Sequence, residues 1–119
     1  MGTGRPPGYP RRGEIHMVDF NPARGSEQQG IRPALVISND RSNQASPVII
    51  VAALTTRIPD RLYPWTVYLP QGQPMDREGL VLCNQVLTVS KERLERYRAT
   101  LTPAQMQQVR TALMISLGL

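Results

Sequence analysis

Gly30-Ile31-Arg32-Pro33-Ala34-Leu35-Val36-Ile37-Ser38-Asn39-Asp40 holds one arginine between a glycine and a proline, then a short apolar run that stops at three polar residues. The run is rich in branched side chains and bounded by turn formers, which predicts a buried β-strand. Pro33 biases Arg32 towards extended backbone, so the guanidinium is expected at the mouth of that strand with little backbone freedom. On these residues alone, Arg32 reads either as a functional cation or as a structural one, pairing with Glu27 or a strand-end carbonyl.

On the N-terminal side, residues 21–31 form a polar, glycine-containing connection. It is long for a simple hairpin, and it reads either as a lid over Arg32 or as a solvated joint. Residues 14–20 predict the first strand. It carries His16, the chain's single histidine, expected as a packed side chain. A nuclease that uses two histidines as acid and base is excluded by that count. Residues 1–12 contain three prolines, three glycines and no apolar period, and are expected to form a flexible basic leader. Residues 13–119 are expected to make up one domain.

On the C-terminal side, Ser38, Asn39 and Asp40 offer capping side chains for one helical turn over residues 40–45. Residues 47–54 are the strongest apolar run and predict a central strand that ends at Thr55 and Thr56. A second long loop follows with Arg57, Arg61 and Tyr63, a mixture suited to phosphate contact and base stacking and equally to an ordinary proline-broken surface loop. Further strands are predicted over residues 65–69, with Trp65, Val67 and Leu69 on one face, then over 79–83 and 86–89. A short helix is expected from Ser90 through Arg96. Thr102, Pro103 and Gln105 supply an N-cap, a proline at the first helical position and a capping-box partner. They open a terminal helix whose Met106, Val109, Leu113 and Leu117 share a face, with Gly118 as its stop.

The chain has 119 residues and a net charge of +5, of which residues 1–12 contribute +3 through Arg5, Arg11 and Arg12. Its other basic residues are arginines except Lys91, and arginine's planar fork suits bidentate phosphate binding. Surface ion pairing is the competing explanation. The single cysteine, Cys83, excludes an internal disulfide and a cysteine-based zinc site, and is expected as a small buried hydrophobe. No apolar run approaches membrane-spanning length. The opening residues lack the apolar segment of a secretory signal, so the cytoplasm is expected. Short strands followed by one helix predict a mainly β fold with α, a small SH3-like barrel of five to seven strands with a C-terminal helix.

Several runs carry a family resemblance. Residues 12–15, Gly25-Ser26-Glu27-Gln28, residues 30–40, Ala53-Leu54-Thr55-Thr56 and residues 85–94 resemble, in order, the MazF/PemK toxins. The resemblance implies the CcdB/PemK type of barrel and a two-fold homodimer with a composite groove. It implies a toxin that cleaves single-stranded RNA sequence-selectively without a metal or other cofactor, and a cognate acidic antitoxin that covers the groove. The family's catalytic arginine falls on Arg32 and its catalytic threonine on Thr55. Gln85, Ser38, Glu27, Gln28, Arg57 and Arg61 are the expected RNA contacts. The acidic residue that often precedes the glutamine in the family is Asn84 here. Two other readings stand beside this one. One is a non-catalytic CcdB-like module that poisons gyrase or binds nucleic acid. The other is a metal nuclease built on Asp19, Glu27 and Asp40, which lack a recognisable ligand spacing. With Arg32 and Thr55 in their motifs, both are expected on one side of a groove.

Overall fold

The computed structural model describes residues 8–21 and 30–119. The apolar run forms strand β2 (Ile31–Val36), flanked by β1 (Glu14–Asp19) and β3 (Val48–Thr55). Helix α1 (Asp40–Ala45) fills the turn between β2 and β3. β4 (Thr66–Leu69), β5 (Gly79–Ser90), β6 (Leu94–Thr100) and helix α2 (Pro103–Leu117) complete the chain. The six strands make one antiparallel sheet in the order β4-β5-β3-β2-β1-β6. This is the mainly β architecture with a C-terminal helix that the pattern predicts.

Residues 34–36 of β2 and 51–54 of β3 are apolar without alternation because both faces are covered there. Leu35, Ala52 and Leu54 point to a cluster completed by Ile15, Val81 and the Val109 and Ala112 side chains of α2. Ala34, Val36, Ile49 and Val51 point the other way, to Val18 and Phe20, with Leu87, Val89 and Leu94 packed on them. That second cluster joins residues from β5 and β6, so the sheet curls until its β5 end comes round towards β6.

The polar end of the motif is structural. Asn39 caps α1 by accepting from the Ser42 N–H (2.7 Å), and Asp40 accepts from the Arg12 N–H (2.7 Å). The guanidinium of Arg12 donates to the Ile37 carbonyl, and Pro10 is buried. The described part of the leader, residues 8–12, therefore follows the edge of the domain.

Three expectations about elements need correction. Residues 79–83 and 86–89 are one strand. Both halves pair with β3, and the register jumps from Ala52↔Val86 to Ala53↔Leu82, so Cys83, Asn84 and Gln85 form a bulge that lets two polar side chains reach solvent. The helix expected from Ser90 to Arg96 shrinks to a 3₁₀ turn (Lys91–Arg93), capped by the Ser90 side chain. Residues 94–100 are drawn instead onto the open edge of β1, and that pairing carries two irregularities that erase the period-two pattern from the sequence. Leu117 is 59% exposed, and the buried face of α2 uses Val109 and Ala112, with Met106 and Leu113 at its margin. The capping box on Thr102 and Gln105 and the left-handed Gly118 stop both form.

Candidate active site

The site is assembled where β2 begins and β3 ends. Gly30, at φ +75°, turns the chain into β2. Its carbonyl accepts from the Phe20 N–H (2.9 Å) and its N–H donates to the Asn21 side chain (3.0 Å), which ties the strand's start to the end of β1. Arg32 then sits opposite Val18 in the β1–β2 ladder, with its side chain exposed. In the β2–β3 ladder Ala34 faces Ala53. The same register continued to the strand ends sets Arg32 opposite Thr55, and strand alternation puts both side chains on one face.

Thr55 is half-buried, and its Oγ1 accepts from the Arg57 backbone N–H (3.1 Å). That turn fixes the rotamer and leaves the hydroxyl proton to be donated outward. Gln85 stands on the adjacent β5 bulge beside Ala52 and Ala53. At roughly 3.3 Å per residue it is about 7 Å along the sheet from the level of Thr55. Arg32, Thr55 and Gln85 thus occupy the neighbouring strands β2, β3 and β5.

Arg57 and Arg61 are exposed in the loop that leaves Thr55. The Arg61 guanidinium lies 5.4 Å from the centre of the Tyr63 ring, and Tyr63 stacks on Trp65 at 4.8 Å and 8°. Trp65 therefore precedes β4 as part of a stacked series, while Val67 and Leu69 enter the core.

Ser38 does not join this group. It is buried beyond the far end of β2, where its Oγ accepts from the Ile50 N–H (3.0 Å) and donates to the Asn43 side chain. The reason is positional: burial of the β2–α1 turn creates polar groups that need partners, and Ser38 and Asn43 satisfy each other. Glu27 and Gln28 lie outside the described residues. His16 is fully buried, with its ring edge-on to Tyr97. Glu14 Oε1 accepts from the His16 ring (2.9 Å) and from the Arg11 N–H (3.0 Å). Cys83 is buried, and desolvation pushes its thiol up to about 11. Among the described residues no group of three or more His, Cys, Asp or Glu side chains could hold a metal ion, and no helix is long and apolar enough to cross a membrane.

The sequence did not point to a pocket that opens beside Thr55 and Thr56. Met17, Pro33, Leu54, Leu69 and Met75 line its floor. Asp76, Arg77, Glu78 and Arg98 stand around it. Arg98 had no visible signal, because its strand is the irregular β6. The Tyr68 hydroxyl donates to Glu78 (2.6 Å), and this hydrogen bond, with some desolvation and the carboxylate's charge, raises the tyrosine pKa.

Known proteins of this shape identify the group. The chain is 40% identical over 110 residues to the endoribonuclease MazF of Staphylococcus saprophyticus, a match spanning 92% of each chain. It superimposes on the crystal structure of MazF from Deinococcus radiodurans with a TM-score of 0.80 at 28% identity, covering 93% of this chain and 98% of that one. A mycobacterial endoribonuclease solved with its cognate antitoxin gives a TM-score of 0.79 at 30% identity, covering 92% and 96%. Residues 11–117 match the family described as PemK-like, MazF-like toxins of type II toxin–antitoxin systems, and the chain belongs to that family.

Proposed function

We propose that the protein is the endoribonuclease toxin of such a pair and cuts single-stranded RNA at a short sequence without a metal ion. The observation that supports this reading is the β2–β3 register, with Ala34 opposite Ala53, which brings Arg32 level with Thr55 when it is continued to the strand ends. RNA contains its own nucleophile. When the 2′-OH attacks the adjacent phosphorus, the bond to the 5′-oxygen breaks, leaving a 2′,3′-cyclic phosphate and a 5′-OH. A site for this reaction must align the attack and stabilise charge on the phosphoryl oxygens. The Arg32 guanidinium can do so with two parallel hydrogen bonds, and the Thr55 hydroxyl, held by the Arg57 N–H, can donate a third. On this reading Gln85, Arg57 and Arg61 position neighbouring nucleotides. His16 is unavailable for proton transfer because it is buried against Glu14.

Two partners follow from the same reading. Val48, Ile50 and Val86 share one side of the sheet and are exposed, as are Met114, Ile115 and Leu117 on α2. Apolar residues grouped in this way favour association, and we assign them to a homodimer. The exposed arginines around Thr55 suit an acidic antitoxin, in line with the mycobacterial relative captured with its own.

The test is incubation of the purified protein with a long defined RNA in EDTA. Cuts at a recurrent short sequence with cyclic phosphate ends are expected, and they should disappear in Arg32→Ala. Binding of gyrase with no RNA cleavage at stoichiometric protein would replace this reading with a non-catalytic one.

A further inference from the structure

The pocket beside Thr55 has a volume of about 190 Å³, and phosphate chemistry at Arg32 and Thr55 makes no use of it. Its floor is apolar and partly thioether, a surface on which a flat aromatic ring packs well. Its rim is charged with both signs. The Arg98 guanidinium is held over the floor, with Nη1 3.5 Å from the Met17 sulfur. Its Nη2 lies 3.6 Å from Asp76 Oδ1, beyond hydrogen-bonding distance. Guanidinium and carboxylate are therefore close to each other while each keeps hydrogen bonds for a third party. Glu78 differs, because one of its oxygens already accepts from Tyr68. Beyond Arg77 and Glu78 a second, more polar hollow of about 470 Å³ continues past Tyr68 and Gln71, so a strand entering the first pocket has a path onward.

We propose that this pocket receives the nucleobase next to the phosphate held by Arg32 and Thr55, and that it selects guanine through Arg98 and Asp76. The inference rests on the endoribonuclease reading and adds a specificity determinant to it. Guanine offers O6 and N7 as paired acceptors, the commonest specific partner of an arginine fork. It also offers N1–H and N2–H as adjacent donors, which match the two oxygens of one carboxylate. Adenine, cytosine and uracil lack two adjacent donors on their pairing edge, so each leaves part of the Arg98–Asp76 rim without a partner. One good bidentate pair discriminates by about fivefold to 150-fold.

Met17 and Met75 supply the readout. Protein labelled at its methionine methyls is titrated with guanosine, adenosine, cytidine and uridine 5′-monophosphates and followed by NMR. The guanine nucleotide should shift the Met17 and Met75 signals and leave Met114 on α2 unmoved, with the other three binding at least fivefold more weakly. Asp76 is 80% exposed at its side chain, so Asp76→Asn keeps the fold, and it should erase most of the preference. Arg98→Met, checked by thermal melting, should do the same. On randomised single-stranded RNA, wild type should show guanine enriched at one position beside the cut, and both variants should lose that enrichment while still cutting. Equal responses to all four nucleotides, silent Met17 and Met75 signals, or an unchanged cleavage profile in Asp76→Asn would overturn the inference. Protein that binds the guanine nucleotide in the pocket but cuts no RNA would refute the endoribonuclease reading and leave the base pocket standing.

Discussion

Replacing Arg32 by lysine keeps a positive charge at the start of β2 and removes the planar fork, which separates two ways an arginine could serve the site. The side chain is exposed, and the backbone pairing with Val18 does not depend on side-chain identity. Stability should therefore change by no more than about 0.5 kcal/mol, or roughly 2 °C in Tm for a domain of this size. Activity should respond differently. A hydrogen bond to a charged group contributes about 1.5–3 kcal/mol, and each 1.36 kcal/mol is tenfold in rate. Loss of one of two bonds then lowers kcat/KM by about 10- to 150-fold in Arg32→Lys. Loss of both in Arg32→Ala lowers it by about 10²- to 10⁴-fold. Initial rates on a short RNA with a fluorophore and quencher, measured in EDTA beside a thermal melt, give both numbers. Arg32→Ala within threefold of wild type would refute the assignment. So would a loss of activity that tracks a fall in Tm of 8 °C or more, because that pattern belongs to a structural arginine.

Thr55→Ser retains the hydroxyl and should stay within about fivefold of wild type, whereas Thr55→Val removes one stabilising donor and should lose about 10²- to 10³-fold in kcat, read in the same assay. Ser38→Ala leaves the part-buried Ile50 N–H and the buried Asn43 side chain short of a partner. That costs about 1–3 kcal/mol and lowers Tm by about 4–12 °C, yet kcat/KM at low temperature should stay within twofold if Ser38 is structural. Cys83 should resist a thiol reagent at pH 8 in the native protein and react once it is unfolded. Its thiol ionises near 9 when exposed and only at about 11 when folded, so as pH rises from 9 to 11 the unfolded chain releases a proton the folded one keeps. Stability must fall across that window, and Cys83→Ala should make the fall shallower in denaturant titrations at each pH.

Local physics accounts for the elements that could be read directly and for those that could not. β2, β3 and the capped start of α2 are each specified by residues adjacent in sequence: a buried apolar run, or a Thr-Pro-Gln cap. β6 is specified by an empty edge on β1, and the irregular pairing at His16 and Val18 breaks the alternation that would have announced it. The bulge at residues 83–85 is hidden for the same reason, since Asn84 and Gln85 look like a break between strands until β3 is present to pair on both sides of them. The site divides along the same line. Arg32 and Thr55 are visible because each sits in a contiguous motif at a strand end. The pocket beside them draws Met17, Met75, Asp76 and Arg98 from distant segments, and only the folded sheet brings them together.

The motif from Gly30 to Asp40 does two separate jobs, and its length follows from that. Its first half presents Arg32 at an exposed strand mouth, where a charged side chain can meet a ligand. Its second half closes a buried turn: Ser38 with Asn43, Asn39 on the first turn of α1, Asp40 on the Arg12 N–H. β2 is the rigid link between them, with Ala34, Leu35 and Val36 all fully buried. On the proposed reading Arg32 needs placement to a fraction of an ångström, and an exposed strand end would fray without an anchor at the opposite end. The polar turn supplies that anchor and fixes the register against β3 on which the opposition of Arg32 and Thr55 depends. Loosening the turn by Ser38→Ala should therefore reduce activity only as the temperature approaches the lowered Tm, when register is lost, and never through contact with RNA.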